Sequence, residues 1–427
     1  MFKPTMTIVL AAAVITPVAA SADNNTVALA TLLDAGRQYH PTLAKQPLLA
    51  EALAVQKSQI NQLYMPRLAL VGQASWQSDV TSINIPLPNV SITPPSKDQY
   101  KVALELQQNI WDGGVAAQQK RVADQRAVVE TEKVNAEWYQ VRERIVQLYF
   151  AGAVQQEFKY QAESVNQYLS TVLEKANVAK ANGVIIARDV ILVQARQLEA
   201  RQAIVDADAQ LASVRQLLTD LTGVALPAST KFVAQAAACN TTPGPVHRPE
   251  LAALTAQQQL IAAQERLDNI ADRPKLGAFA TLGYGRPGLN ALSNTFDTYF
   301  IGGLQLTVPL TYLYAGTHRK TQRQAELQQA LIGKQQAALM SQINVQLDTQ
   351  RAEIARLDAG MLLDEELIGL RGQARQQTET QLALGTATMT DLVNDLTQED
   401  QARSKLALHR AQRSLACHQL ELAVGNL

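Results

Sequence analysis

No proline lies between Pro95 and Pro227, and inside that interval the hydrophobic pattern changes period once. Tyr100, Val102, Leu104, Leu106 and Ile110 alternate with Lys101, Glu105, Gln107 and Asn109, which predicts a strand with one apolar face. Trp111-Asp112-Gly113-Gly114 ends the alternation. Val134, Trp138, Val141, Ile145 and Leu148 then recur at the four-three spacing of a coiled-coil seam. A helix running unbroken from Gly114 to Gly183 would be roughly 100 Å long at ~1.5 Å per residue. A chain with such a helix cannot fold around one compact core.

The rest of the composition fits long helices with narrow seams, being rich in Ala, Gln, Leu, Val and Arg with only 5% aromatic residues. Lys and Arg number 38, as do Asp and Glu. That balance argues against nucleic acid as a partner. Catalytic chemistry is not expected. The five histidines are scattered, and His409, Cys417 and His418, the nearest approach to a cluster, fall short of the four ligands of a structural zinc site. No phosphate loop or nucleophile elbow is visible, so neither a cofactor nor a metal is expected.

Residues 1–22 read as a secretion signal, with Lys3 as the positive start, Ile8 to Ile15 as the apolar stretch and Ala20-Ser21-Ala22 as the cleavage site. Cleavage near Ala22 would leave no cysteine nearby to carry a lipid. Beyond the signal no apolar run approaches the ~18–20 residues of a spanning helix, so entry into a membrane would have to use strands.

In chain order, Val27 to Tyr64 reads as a helix interrupted at His40-Pro41 and ended by Pro66. Leu68, Leu70, Gly72, Ala74 and Trp76 form a strand by alternation with Ala69, Val71, Gln73 and Ser75. A proline-rich loop follows, then the Tyr100 strand and the long helix. Gly183 is where that helix should turn back, Asp189 opens the return helix, and Thr222-Gly223 closes it.

The second half repeats the first. Pro41 and Pro66-Arg67-Leu68 recur 208 residues later as Pro249 and Pro274-Lys275-Leu276. Leu104 and Leu106 recur 200 residues later as Leu304 and Leu306, the loop being shorter around Arg286 to Asp297. Gly114, Gly183 and Asp189 recur 202 residues later as Gly316, Gly385 and Asp391. A duplication in register predicts two repeats, 23–223 and 248–427, joined by a connector at 224–247. Each repeat supplies helix, strand, strand, long helix and return helix.

Four strands cannot close a membrane barrel, whose smallest examples have eight; four from each of three chains make twelve. Trp76, Tyr100, Trp111, Phe279, Tyr284, Phe296, Tyr299, Phe300, Tyr312 and Tyr314 lie in or beside the strands, as interfacial girdles would require.

These features together resemble the TolC-type outer-membrane efflux and secretion channels over essentially the whole mature chain. The carriers are Pro66-Arg67-Leu68, Pro274-Lys275-Leu276, Ile110-Trp111-Asp112-Gly113-Gly114, Pro309-Leu310 through Tyr314-Ala315-Gly316, and the turns Gly183 to Asp189 and Gly385 to Asp391. The resemblance implies an α+β membrane protein and a homotrimer. Its twelve-stranded transmembrane β-barrel lies in outer-membrane lipid and continues as a long α-helical barrel through the periplasm. It implies partners too: a periplasmic adaptor protein and an inner-membrane pump. It places a periplasmic gate at the turns, so Gly183, Arg188, Asp189, Gly385, Asp391, Asn394 and Asp395 are the candidate gate and selectivity residues. Asp391 falls on an acidic family position; the next, one turn on, is Asn394 here, with Asp395 beside it. The family arginine that pairs with the acid at Asp189 corresponds to Ala387, with Arg188 as a possible substitute. Asp189 and Asp391 read equally well as acids favoured by the helix N-terminus.

The competing reading is a periplasmic coiled-coil adaptor or structural rod without a channel, which leaves the two strand pairs unexplained. One further expectation concerns the cysteines. Measured along the return helices from the turns, the connector after Gly223 should start near the height of Cys417. A Cys239–Cys417 disulfide is then open to an exported chain, against the alternative of two free thiols with Cys417 buried.

Overall fold

The computed structural model of the chain describes residues 26–81, 94–233, 239, 244–290, 293–310 and 316–425. The signal segment, Tyr312, Tyr314 and part of the connector lie outside these residues. Seven α-helices and four strands are found among those described. Helices α1 (Leu29–Tyr39) and α2 (Lys45–Asn61) precede strands β1 (Arg67–Trp76) and β2 (Asp98–Trp111). Helices α3 (Val115–Ala181) and α4 (Ala187–Thr222) follow. The second half supplies α5 (Pro249–Ile270), β3 (Lys275–Arg286), β4 (Asp297–Thr307), α6 (Thr317–Ala383) and α7 (Met389–Val424). The break at His40-Pro41 separates α1 from α2, and a single 3-10 turn, Gln62–Tyr64, leads to Pro66.

The duplication is kept to the residue in the helices. Both α3 and α6 have 67 residues and both α4 and α7 have 36, their starts separated by the expected 202 positions. At ~1.5 Å per residue α3 and α6 are each about 100 Å long.

The chain divides into two compact units, each drawn from both halves of the sequence. One comprises residues 1–45, 134–250 and 339–427; the other comprises 46–133 and 251–338.

The first unit is helical, and apolar clusters fill it. In one, Leu32 of α1 meets Ile145, Val146, Tyr149 and Phe150 of α3, Leu211 and Leu218 of α4, and Phe232 of the connector. Ile145 and Leu148 of the predicted seam are buried, and Trp138 and Val141 pack against the same cluster. The connector is held by backbone and ring contacts. Val27 N–H donates to Lys231 O, and the Tyr149 hydroxyl lies 3.1 Å from both Val27 O and Val233 O. Phe232 sits edge-on to Tyr149. Cys239 is bonded to Cys417 of α7, the bridged alternative of the two left open by the sequence.

The second unit holds the sheet, antiparallel throughout, in the order β1-β2-β3-β4. Leu68 pairs with Leu106 and Leu70 with Leu104 in the first hairpin. Leu276 pairs with Leu306 and Ala278 with Leu304 in the second. The two hairpins therefore share one register, as the sequence offsets require. A bulge in β2 corrects the sequence reading at its end: pairing skips Ile110 and sets Trp111 opposite Leu276.

Candidate functional site

Cross-strand partners lie on the same face of a sheet, so the register sorts the strand residues. One face carries Leu68 and Leu70, then Val102, Leu104 and Leu106, then Leu282 and Tyr284, then Phe300, Leu304 and Leu306. All of these are more than a third exposed, with Leu70 at 74% and Leu304 at 69%. The opposite face carries Gln73, Lys101, Glu105, Gln107, Thr281 and Gln305. The alternation expected from Leu104 to Gln107 thus extends across all four strands.

Among the eight of these aromatics that lie in the described residues, two do not fit the expected girdle. Phe279 pairs with Gly303 and Tyr299 with Gly283, and both rings lie on the polar face. Sequence alternation was sufficient to see this, because each sits one residue out of phase with its apolar neighbours. Tyr100, Tyr284 and Phe296 do gather at one end of the sheet, with Phe296 stacked on both tyrosines and the Arg286 guanidinium over Tyr100 and Phe296. Trp111 stands at the other end.

The Trp111-Asp112-Gly113-Gly114 motif is the joint between strand and helix. Asp112 accepts hydrogen bonds from Gly114 N–H at 2.9 Å and Ala116 N–H at 2.7 Å, which satisfies amide groups of the first turn of α3. These bonds, with one from Tyr64, outweigh burial and hold its carboxyl below the usual range. Gly113 has φ +71°, and a side chain there would meet Arg273 Cβ and Pro274 O. Glycine is required at that position by both conformation and space.

The two turns are built alike. Val184 N–H reaches Ala179 O and Gly183 N–H reaches Lys180 O; Thr386 to Gln381 and Gly385 to Leu382 repeat the pattern. This is the Schellman arrangement, which needs a left-handed residue, and Gly183 and Gly385 supply φ of +73° and +75°. Beyond them the repeats differ. Thr388 and Asp391 form a reciprocal capping box, with Thr388 N–H to Asp391 at 2.9 Å and Asp391 N–H to Thr388 Oγ1 at 3.2 Å. The bonds from Thr388 lower the Asp391 pKa. At the other turn the cap residue is Ile186, whose N–H donates to Asp189 at 3.3 Å; with no side-chain oxygen at the cap, Asp189 N–H donates to Ile186 O at 3.1 Å. Asp391, Asn394 and Arg188 are exposed, whereas Asp395 is half-buried and accepts from Thr378 Oγ1 of α6 at 2.6 Å. Among the described residues Arg188 forms no ion pair, so the substitute lock through Arg188 is not made within the chain.

Farther from the turns lies a polar network absent from the sequence reading. Buried Glu399 of α7 accepts from Arg375 of α6 at 2.5 Å and from Arg403 at 2.7 Å. Burial alone would raise its pKa, but the two guanidiniums outweigh this and hold it down. Arg375 also bonds Glu379, to which the Tyr168 hydroxyl of α3 donates. Burial and that bond push Tyr168 up to about 12. Next to Glu399, Asp400 is shifted the other way: burial raises it despite bonds from Gln161 of α3 and Arg196 of α4. Higher on the same pair of helices Asp364 and His409, both buried, meet at 2.5 Å. The available signal was spacing, for Glu399 continues the four-three step from Leu392 and Leu396, and His409 follows Leu406 by three. Among the described residues no group of three His, Cys, Asp or Glu side chains is placed to hold a metal ion, and no helix is long and apolar enough to cross a membrane.

No protein-family model and no curated protein sequence matches the chain. Solved structures do. It aligns with the outer membrane protein VceC of Vibrio cholerae at a TM-score of 0.68 and 16% identity, over 93% of this chain and 96% of that one. The CmeC outer membrane channel of Campylobacter jejuni gives 0.64 and 13%, over 96% and 90%. The open-state MtrE outer membrane channel of Neisseria gonorrhoeae gives 0.64 and 15%, over 93% and 88%. At such low identity the likeness speaks for the backbone, and it spans nearly the full length of each partner. The chain has the fold of the TolC-type outer-membrane channels, the family its sequence resembles.

Proposed function

We propose that this protein is the outer-membrane channel of a tripartite efflux or type I secretion system. In this reading it works as a homotrimer that passes substrates from an inner-membrane pump, through a periplasmic adaptor, across the periplasm and the outer membrane. The observation that carries the reading is the sheet. Its apolar face runs across all four strands and is exposed, and among the described residues β1 and β4 each pair with one neighbour. Strands of 10 to 14 residues suit a bilayer, which a tilted strand crosses in about 9–11 residues. Open edges with an apolar face are a liability in water; closure with further copies removes the edges, and lipid covers the face. Exposed apolar side chains on the helices support association as well. Ile191, Leu198 and Val205 on α4 and Leu363 and Leu370 on α6 repeat every seven residues.

The capped turns are the gate in this reading, with Asp391 as the side chain that faces permeating ions. Asp395, tied to Thr378, is the lesser contributor. A ring of like charges in a narrow aperture concentrates counter-ions, so Asp391→Asn should lower cation selectivity in planar bilayers. The chain is read as a conduit without catalytic residues, cofactor or metal.

Membrane insertion tests the reading against that of a periplasmic rod. Heat-modifiable trimers in outer-membrane fractions are expected. Leu304→Arg should impair assembly by about 2–4 kcal/mol at mid-bilayer, whereas Gln305→Arg on the opposite face should be tolerated. A soluble periplasmic monomer, or equal damage from both substitutions, would defeat it.

A further inference from the structure

We propose that Gly283 and Tyr299 set the bore of the strand barrel and so the size limit of what leaves it. The inference rests on the channel reading, in which the polar face of the sheet lines the lumen.

On that face β3 presents a lane without side chains, Gly283 and Gly285, and long side chains reach over it from both neighbours. Tyr299 of β4 is the direct partner of Gly283, and Lys101 of β2 is the direct partner of Gly285. The Tyr299 ring lies across β3, with its Cε1 2.5 Å from where a Cβ on residue 283 would stand. The Lys101 ammonium is 5.7 Å from the centre of that ring. The Tyr299 hydroxyl oxygen is buried and without a hydrogen-bond partner among the described residues, so no hydrogen bond from its own tip fixes the ring. What lets the ring lie against the wall is the missing side chain at residue 283, with Lys101 over it. The same device recurs with the roles exchanged: Phe279 of β3 lies over its partner Gly303 of β4, but less tightly, its ring atoms 3.2 Å from a notional Cβ.

A ring flat on the wall takes one van der Waals layer of lumen, ~3.5–4 Å. A ring forced up by a methyl group beneath it projects about twice as far, once per subunit. Gly283→Ala is therefore a bore substitution: the methyl itself is small, and Tyr299 has to leave the wall. Gly303→Ala should act weakly, since Phe279 needs to yield by only a few tenths of an ångström.

The test uses the full-length trimer in planar bilayers, with neutral polyethylene glycols of graded size added on the strand side alone. The readout is the largest polymer that enters and lowers the current. For Gly283→Ala the admitted radius should fall by roughly 3 Å, and Gly283→Ala with Tyr299→Ala should restore it. Tyr299→Ala alone should widen the limit by about the one layer that the flat ring occupies. An unchanged limit in Gly283→Ala trimers would overturn the inference. So would an unchanged limit with Tyr299→Ala, which decides the matter even if Gly283→Ala fails to assemble. Absence of any conductance from the unaltered trimer would instead take down the channel reading, and this inference with it.

Discussion

The hairpins α3/α4 and α6/α7 have arms of equal length and the same hydrogen-bonded turn, yet they fill their seams with different chemistry. Near its turn α3/α4 is mostly apolar: Val165, Leu169, Val172 and Ala176 meet Val190, Val193 and Ala200 in a cluster shared with Leu392 and Leu396 of α7. Its buried polar link is neutral, Gln197 to Ser170, and its charged link Lys159 to Asp208 is partly exposed. In α6/α7 the seam includes buried Asp364, Glu399 and His409, answered by Arg375, Arg403 and Lys405. A duplicated backbone has kept its geometry while its interior changed. An apolar seam gains from burial and is nearly indifferent to a slip by one heptad. Buried ion pairs add little net stability, but a slip would strand their charges, so they fix register instead.

This contrast can be broken most forcefully on the apolar side. Leu169 is fully buried, and Leu169→Ala should cost about 3–5 kcal/mol, read as a loss in urea midpoint at unchanged slope. On the polar side Glu399→Ala should cost less, about 2–3 kcal/mol, since Arg375 and Arg403 keep 23% and 49% of their side-chain surface and can turn to water. Joint replacement of Glu399 and Arg375 by Met should come within about 1 kcal/mol of the unaltered protein or exceed it. A double variant as weak as Glu399→Ala would mean that the pair is a source of stability after all.

Acid sharpens the comparison further. The folded-state pKa of Glu399 is depressed, so its stabilising contribution is complete above the ordinary 4.5 and is lost as pH falls through the folded value. Between about pH 5 and about pH 3 the thermal midpoint of Glu399→Gln should therefore fall less than that of the unaltered protein. Parallel curves would refute the assignment. Asp400, raised by burial, contributes with the opposite sign, so its stabilising share is lost as pH rises through its folded value.

The smallest effects belong to the caps. Thr388→Ala removes the side-chain bond to Asp391 N–H and should cost about 1 kcal/mol, whereas Ile186→Thr supplies the missing cap to α4 and should gain about half as much. Amide hydrogen exchange in the first turns of α7 and α4 reads both. Equal and opposite shifts would show that the turns differ only in their caps.

Much of this molecule could be read from residue order because its determinants are local or periodic. Alternation from Leu68 and from Tyr100 gave the strands. The proline-free interval gave the long helices, and the repeat offsets placed both turns and implied that the two hairpins share one register. The girdle assignment of Phe279 and Tyr299 failed because aromatic content was counted without phase. The bulge at Ile110 escaped because pairing with β3 creates it, and no pattern within β2 marks it.

The sequence by itself determined the elements, their lengths and the twofold repetition, since proline, glycine and hydrophobic period act within one turn or one strand. Only the tertiary structure decided which charges are buried, that Cys239 meets Cys417, and that a tyrosine lies over a glycine on the next strand. Those outcomes depend on residues 45, 178 and 16 positions apart, as with Asp364 and His409, the two cysteines, and Gly283 and Tyr299. No local propensity encodes such distances; packing sets them.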